Sequence, residues 1–101
     1  MTIEAQQPGS PAPAWYLDRF EGLAEVLARG GLRTHLVTSP GRPVYLHVMN
    51  PAAAALAEDV YLARSQDGGW WFWWPWAERI AARDDLDGAA VMIRRVLAVR
   101  E

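Results

Sequence analysis

The first strong pattern along the chain is a set of apolar residues at helical spacing. Four of them recur at intervals of three or four positions, with charged residues between them: Tyr16, Phe20, Leu23 and Leu27. This spacing predicts an amphipathic helix over residues 15–29. Gly30 and Gly31 follow it, and glycine is typical of the position just after a helix.

Alternation of apolar and polar residues replaces the helical spacing after these glycines. Residues 32–38 and 43–49 alternate and predict two strands, joined by the turn-forming sequence Ser-Pro-Gly-Arg. Leu36 lies opposite Leu46 only if the connecting loop has an odd number of residues, so we expect a loop of three or five residues. The face opposite these leucines then carries His35, Val37, Tyr45, His47 and Met49.

Residues 58–65 predict a third strand, and Asp67-Gly68 predicts a two-residue hairpin turn. The turn leads into a strand over Trp70–Trp76 whose two faces are both apolar. With a two-residue turn, Leu62 lies opposite Trp73, so Trp71 and Trp73 join the aliphatic face. The tyrosine and histidine face then receives Trp70, Phe72 and Trp74. Because proline cannot donate to a sheet ladder, a bulge or a sheet edge is expected at Pro75, and an extended path resumes at 78–81.

The last predicted element is a helix over residues 85–99, capped by Asp84 or Asp85. Its apolar stripe consists of Leu86, Ala90, Ile93 and Leu97. The predicted fold class is therefore α+β: an N-terminal helix, an antiparallel sheet of four or five strands and a C-terminal helix. We expect one domain over residues 15–101, preceded by a disordered Pro-rich tail over residues 1–14.

If both helices pack on the aliphatic face of the predicted sheet, no predicted element covers its tyrosine and histidine face. Large aromatic side chains bury about 150–250 Å² each, so several together exceed the largest apolar patch of a typical monomer. A second copy of the chain, a different protein or ligand, or the chain itself could cover them. The candidate interaction face consists of Tyr45, His47, Tyr61, Trp70, Phe72 and Trp74.

Composition narrows the classes of function. The chain has 101 residues and no cysteine, which excludes disulfides, thiol chemistry and cysteine-based zinc sites. A net charge of -2 gives no general attraction to nucleic acid or to anionic membranes, and no apolar run is long enough to span a membrane. We therefore expect a cytoplasmic protein without cofactors and without direct nucleic-acid binding. All ten basic residues are arginine, which suggests GC-biased, actinobacterial-type codon usage.

The candidates for chemistry are few. His35 and His47 can share a sheet face, but two histidines without a nearby carboxylate make an incomplete metal site, so we expect no metal. Glu78 and Arg79 follow the aromatic strand; they form a charge pair at the strand end, or Glu78 is an acid or base at the mouth of an aromatic pocket. No serine or threonine lies in a nucleophile motif. We therefore expect no catalytic residues and no enzymatic activity.

The segment GWWFWWPWAERI, residues 69–80, resembles a group of short uncharacterised actinobacterial proteins. These proteins share a Trp-rich segment and a C-terminal helix, and the resemblance covers the last third of the chain. Such proteins are often encoded beside helix-turn-helix regulators, so the resemblance implies an accessory or regulatory binding role. It identifies no catalytic or binding residues. The expected function is thus a non-enzymatic interaction module that self-associates as a dimer. The alternative is a small-molecule binding protein whose aromatic pocket, between sheet and helix, has Tyr45, Tyr61 and Trp74 as walls.

Overall fold

The computed structural model describes residues 12–97. Two helices flank five strands in chain order: α1 Tyr16–Arg29, β1 Arg33–Val37, β2 Tyr45–Met49, β3 Ala57–Arg64, β4 Trp70–Trp73, β5 Arg79–Ala82 and α2 Leu86–Val96. This order confirms the predicted α+β fold, with five strands. Most of the predicted Pro-rich tail, residues 1–11, lies outside the described residues, as do residues 98–101.

The strands form one antiparallel sheet in which each strand pairs with its neighbours in sequence, in the order β1-β2-β3-β4-β5. Leu36 lies opposite Leu46, as predicted, and Val37 opposite Tyr45 is the last pair before the connection. The connection over residues 38–44 is longer than the predicted three or five residues but keeps their odd parity. Pro43 cannot donate a ladder hydrogen bond, and pairing begins only after it.

Both helices pack on the same side of the sheet. The core between the helices and the sheet consists of aliphatic and aromatic side chains, among them Phe20, Leu23 and Leu27 of α1, Leu46, Val48, Val60, Leu62 and Phe72 of the sheet, and Ala90 and Ile93 of α2. Because an odd number of antiparallel strands lies between them, the two helices run in the same direction. Gly22 of α1 accordingly faces Leu86 at the start of α2, and Gly30 faces Arg94 near its end.

The hairpin between β3 and β4 corrects the predicted register. Leu62 lies opposite Phe72 rather than Trp73, and Arg64 lies opposite Trp70. The Gly68 N–H donates to the Ser65 carbonyl at 3.0 Å, and the Ser65 N–H donates to the Gly69 carbonyl at 2.7 Å. This is a three-residue loop with Gly68 at φ 90°, in place of the predicted two-residue turn. The extra loop residue shifts β4 by one position and exchanges its two faces.

The hairpin between β4 and β5 repeats the same bonding pattern. The Ala77 N–H donates to the Trp74 carbonyl at 3.0 Å, and the Trp74 N–H donates to the Glu78 carbonyl at 2.8 Å. Ala77 occupies the position of Gly68, with φ 65°. The strand β4 therefore ends at Trp73 instead of continuing to Trp76. Pro75 lies in the three-residue loop rather than at a bulge or sheet edge, and the register shift of this strand pair lies earlier, between Phe72 and Trp73.

Three polar contacts fix the helices. The Tyr16 hydroxyl donates to the Leu62 carbonyl at 2.8 Å, which ties the start of α1 to the middle of the sheet. The Asn50 side chain donates from Nδ2 to the Leu97 carbonyl at 3.0 Å, which ties the end of α2 to the β2–β3 connection. Asp85 caps α2 by accepting from the Gly88 N–H at 2.9 Å, as one of the two predicted caps.

Candidate functional site: the open sheet face

The side of the sheet opposite the two helices carries no covering element among residues 12–97; we call it the open face. Alternation along the strands and the registers between them define its residues. They are Arg33, His35, Val37, Tyr45, His47, Met49, Asp59, Tyr61, Ala63, Trp71, Trp73 and Arg79. Most are only partly buried, whereas their neighbours in sequence point into the helix-side core.

An aromatic row crosses the middle of the open face. Tyr45, Tyr61 and Trp73 are directly paired across three adjacent strands. The two tyrosine rings lie 5.4 Å apart at an angle of 39°, within the range of favourable aromatic pairs. The indole of Trp73 reaches over β3, because its Nε1 donates to the Ala63 carbonyl at 2.9 Å. Tyr45 and Tyr61 are the partly exposed members of this packed row, whereas Trp73 is its buried end, at 6% exposed.

Charged groups flank the aromatic row on both sides. On one side His35, His47 and Asp59 are paired across β1, β2 and β3, and His47 Nδ1 lies 2.8 Å from Asp59 Oδ1. On the other side the Arg79 guanidinium lies over the Trp71 ring, 4.6 Å from its centre. This cation–π contact restricts the arginine and gives the open face charges of both signs.

Tyr61 is the group of the open face whose acid–base behaviour departs from the ordinary. Burial raises the pKa of its phenol, because the phenolate loses hydration when it is partly covered. The negative charge of Asp59 raises the pKa further, and Tyr45 makes a smaller contribution in the same direction. Tyr61 therefore stays a neutral hydrogen-bonding aromatic over the physiological pH range.

The predicted interaction face divides between the two sides of the sheet. Tyr45, His47 and Tyr61 lie on the open face as predicted. Trp70, Phe72 and Trp74 were placed there wrongly, because the three-residue hairpin turns them towards the helices. Phe72 and Trp74 are 0% and 1% exposed in the core. Trp70 packs edge-on against Trp15, with ring centres 5.0 Å apart.

The predicted pocket between sheet and helix fails for the same reason. Its proposed walls were Tyr45, Tyr61 and Trp74, but the first two lie on the open face and Trp74 lies in the helix-side core. Trp74 is instead covered by Trp76, whose ring stacks on it at 5.2 Å and 8°. These three side chains therefore do not surround a common cavity.

Several residues of the open face escaped the sequence prediction. Trp71, Trp73 and Arg79 were missed through the register error. The signal for the true loop was the second glycine, Gly69, because Gly68 can take the left-handed third loop position and leave Gly69 to pair. Asp59 was also missed, as the carboxylate next to His47. The β2–β3 register that places Tyr45 opposite Tyr61 also places His47 opposite Asp59.

Other features of the described chain bear on the candidate chemistry. His35 and His47 do lie opposite each other, but residues 12–97 contain no cluster of three or more side chains able to hold a metal ion. Glu78 lies in the turn after β4, where its backbone carbonyl accepts from Trp74. Within the same residues, neither helix has the length and apolar character needed to cross a membrane.

Comparisons with protein-family models, with curated proteins and with solved structures gave no match. The class of protein is therefore defined by its architecture: an α+β domain with a five-stranded antiparallel sheet, both helices on one side and an aromatic, charge-flanked face on the other.

Proposed function

We propose that this protein is a non-enzymatic cytoplasmic interaction module that forms a homodimer through its open face. The observation that carries the proposal is the placement of both helices on one side of the sheet, with the aromatic row on the other. Sheets pack face to face at about 10 Å when their facing side chains interdigitate, and partly buried tyrosines suit such packing. The proposed interface includes Trp71, Trp73 and Arg79. It no longer includes Trp70, Phe72 and Trp74, which point towards the helices.

The competing apolar surface is the outer side of α2. Val91, Met92 and Val96 are exposed there at 46%, 37% and 44%. Three aliphatic side chains on one helix supply much less area than the roughly 600 Å² per partner of a small stable interface. A five-stranded sheet with strands about 4.8 Å apart is about 20 Å wide, so its face offers a broader continuous surface than one side of a single helix. The open face is therefore the better candidate.

Charge supports a second copy as the occupant of the open face. The face carries Arg33 and Arg79 as well as Asp59, so it contains both members of an ion pair. In a two-fold dimer the same patch of each copy faces the other, so an arginine of one copy can pair with Asp59 of its partner. The small net charge of -2 adds little repulsion between copies.

Light scattering after size-exclusion chromatography tests the proposal. We expect wild-type protein to be dimeric at about 100 µM and to dissociate in the micromolar range, as a small interface would. Tyr61→Asp should give a folded monomer, because it places a second carboxylate beside Asp59 in the centre of the interface. Far-UV circular dichroism checks that the variant retains its secondary structure.

Val91→Asp is the matched control, since it places the same charge on the outer side of α2. It should leave the dimer intact. A wild-type monomer at about 100 µM, or a monomer caused by Val91→Asp but not by Tyr61→Asp, contradicts the proposal. The finer proposal that the dimer serves a regulatory protein is supported by the resemblance of residues 69–80 alone. It is tested by mixing the purified dimer with a helix-turn-helix regulator and measuring the mass of the mixture.

A further inference from the structure

A cleft of about 480 Å³ lies at the β4 end of the open face, between the two hairpins of similar geometry. Its volume falls in the range of small-molecule sites, about 300–1,000 Å³. Its walls combine an aromatic ring with two opposite charges and two uncharged polar groups. The lining residues are Ser65, Gln66, Asp67, Trp73, Ala77 and Arg79.

The aromatic wall of the cleft is held in place before any ligand arrives. Trp73 is 6% exposed, and its Nε1 donates to the Ala63 carbonyl at 2.9 Å. Because the polar edge of the indole is already bonded, the part that lines the cleft offers apolar ring surface. Such a wall selects a flat or aliphatic group rather than a hydrogen-bonding one.

The two charged groups of the cleft, Asp67 and Arg79, do not form an ion pair with each other. Asp67 accepts from the Ser65 hydroxyl and from the Gly69 N–H, and both of these bonds end on Oδ1. The hydrogen bond from Ser65 is the largest cause that lowers the pKa of Asp67, followed by the one from Gly69, and the charge of Arg79 acts in the same direction. Asp67 is therefore ionised at neutral pH.

Arg79 is exposed and is restrained by its stacking on the Trp71 ring, with 4.6 Å between the guanidinium carbon and the ring centre. The ion pairs within residues 12–97 do not include one between Asp67 and Arg79. The cleft thus presents a carboxylate and a guanidinium that attract each other electrostatically but do not form a direct ion pair. A ligand that carries both charges can satisfy both groups.

We propose that this cleft binds a small zwitterion, a free amino acid with an apolar side chain, whose carboxylate meets Arg79, whose ammonium meets Asp67 and whose side chain packs on Trp73. Each of these contacts uses a group that the fold already holds in position, so little conformational freedom is lost on binding. Trp73 and Arg79 also belong to the proposed homodimer interface, whereas Asp67 lies outside the aromatic row, so a change at Asp67 tests this site separately from the homodimer.

Titration with L-phenylalanine, followed by the indole N–H signal of Trp73 in ¹H–¹⁵N NMR spectra, tests the site. We expect a saturable shift. Two analogues separate the charges: 3-phenylpropionate lacks the ammonium and 2-phenylethylamine lacks the carboxylate. Each should bind at least about tenfold more weakly, because one charged group of the cleft is left without its partner. Equal affinity for all three, or no saturable shift up to about 10 mM, overturns the proposal.

Asp67→Asn and Arg79→Gln should each weaken L-phenylalanine binding at least about tenfold. Asparagine keeps the Oδ1 acceptor for Ser65 and Gly69, so the hairpin geometry is retained. Glu25→Gln, on the outer side of α1 in an ion pair with Arg29, is the matched control and should bind like wild type. Asp67→Asn should also keep the wild-type oligomeric state, so loss of binding there is distinguishable from failure of the dimer. Unchanged affinity in both cleft variants contradicts the proposal.

Discussion

At the scale of single residues, the open face combines aromatic rings with charges that alter how the rings behave. Tyr61 is the clearest case, because it is paired with Tyr45 on one side and Trp73 on the other and lies beside Asp59. Its phenol loses water through packing and faces a carboxylate, and both effects favour the protonated form. The same packing that makes Tyr61 a candidate anchor therefore also changes its titration.

We expect the phenol of Tyr61 to ionise above the ordinary tyrosine pKa of 10.0. Asp59→Asn should lower the pKa of Tyr61 only in part, since burial is the larger cause. Ultraviolet absorbance of the phenolate measures this, with Tyr61→Phe identifying the signal among the three tyrosines. Because the folded pKa exceeds the unfolded one, the related stability is present below pH 10 and is lost as pH rises through the folded value. An unaltered tyrosine titration in Asp59→Asn argues against the assigned charge effect.

At the scale of the elements, the helix bounds and one strand register could be predicted from local sequence patterns. The helical spacing gave α1 within one residue, and the parity of Leu36 and Leu46 gave the β1–β2 register. The β3–β4 register was wrong because Asp67-Gly68 is compatible with both two-residue and three-residue loops. One residue of difference between those loops decides which tryptophans face the helices, and Gly69 is the local feature that favours the longer loop.

The two hairpins of equal bonding pattern offer a matched test of backbone strain. The third loop position is left-handed in both, with Gly68 in one and Ala77 in the other. A side chain in this conformation costs roughly 1 kcal/mol. Ala77→Gly should therefore raise the free energy of unfolding by about 0.5–1 kcal/mol, less than the full strain because glycine gains more freedom when unfolded.

The reverse change, Gly68→Ala, should lower the free energy of unfolding by about 1 kcal/mol. A Cβ at this position meets no atom within 4 Å, so the loss reports backbone strain without a steric clash, offset in part by the smaller freedom of alanine in the unfolded chain. Urea denaturation measures both variants. A stabilised Gly68→Ala protein, or a destabilised Ala77→Gly protein, is incompatible with this account of the two loops.

At the scale of the whole molecule, the sequence predicted the order of the elements but not the side on which each helix packs. That choice depends on contacts between distant residues. The Tyr16 hydroxyl bonds to the Leu62 carbonyl, and the Asn50 amide bonds to the Leu97 carbonyl, across separations of 46 and 47 positions. The sequence contains both partners of each pair but no local pattern that joins them, so the open face could be predicted only as one of three alternatives.

These two hydrogen bonds should make separate contributions to stability, because each fixes a different helix. Tyr16→Phe and Asn50→Ala should each lower the free energy of unfolding by roughly 1–3 kcal/mol, since each leaves a buried carbonyl without its donor. The double variant should show the sum of the two losses within about 0.5 kcal/mol. Urea denaturation of the four proteins measures the cycle, and strong non-additivity would reveal that the two helices are coupled through the core.

The parallel arrangement of α1 and α2 has a practical consequence for how this domain can be joined to others. The described chain enters at the start of α1 and leaves at the end of α2, so its two exits lie at opposite ends of the molecule. Both exits also lie behind the sheet, on the side that the helices occupy. A reporter joined directly before residue 12 or after residue 97 would therefore be attached on the side of the sheet opposite the aromatic row.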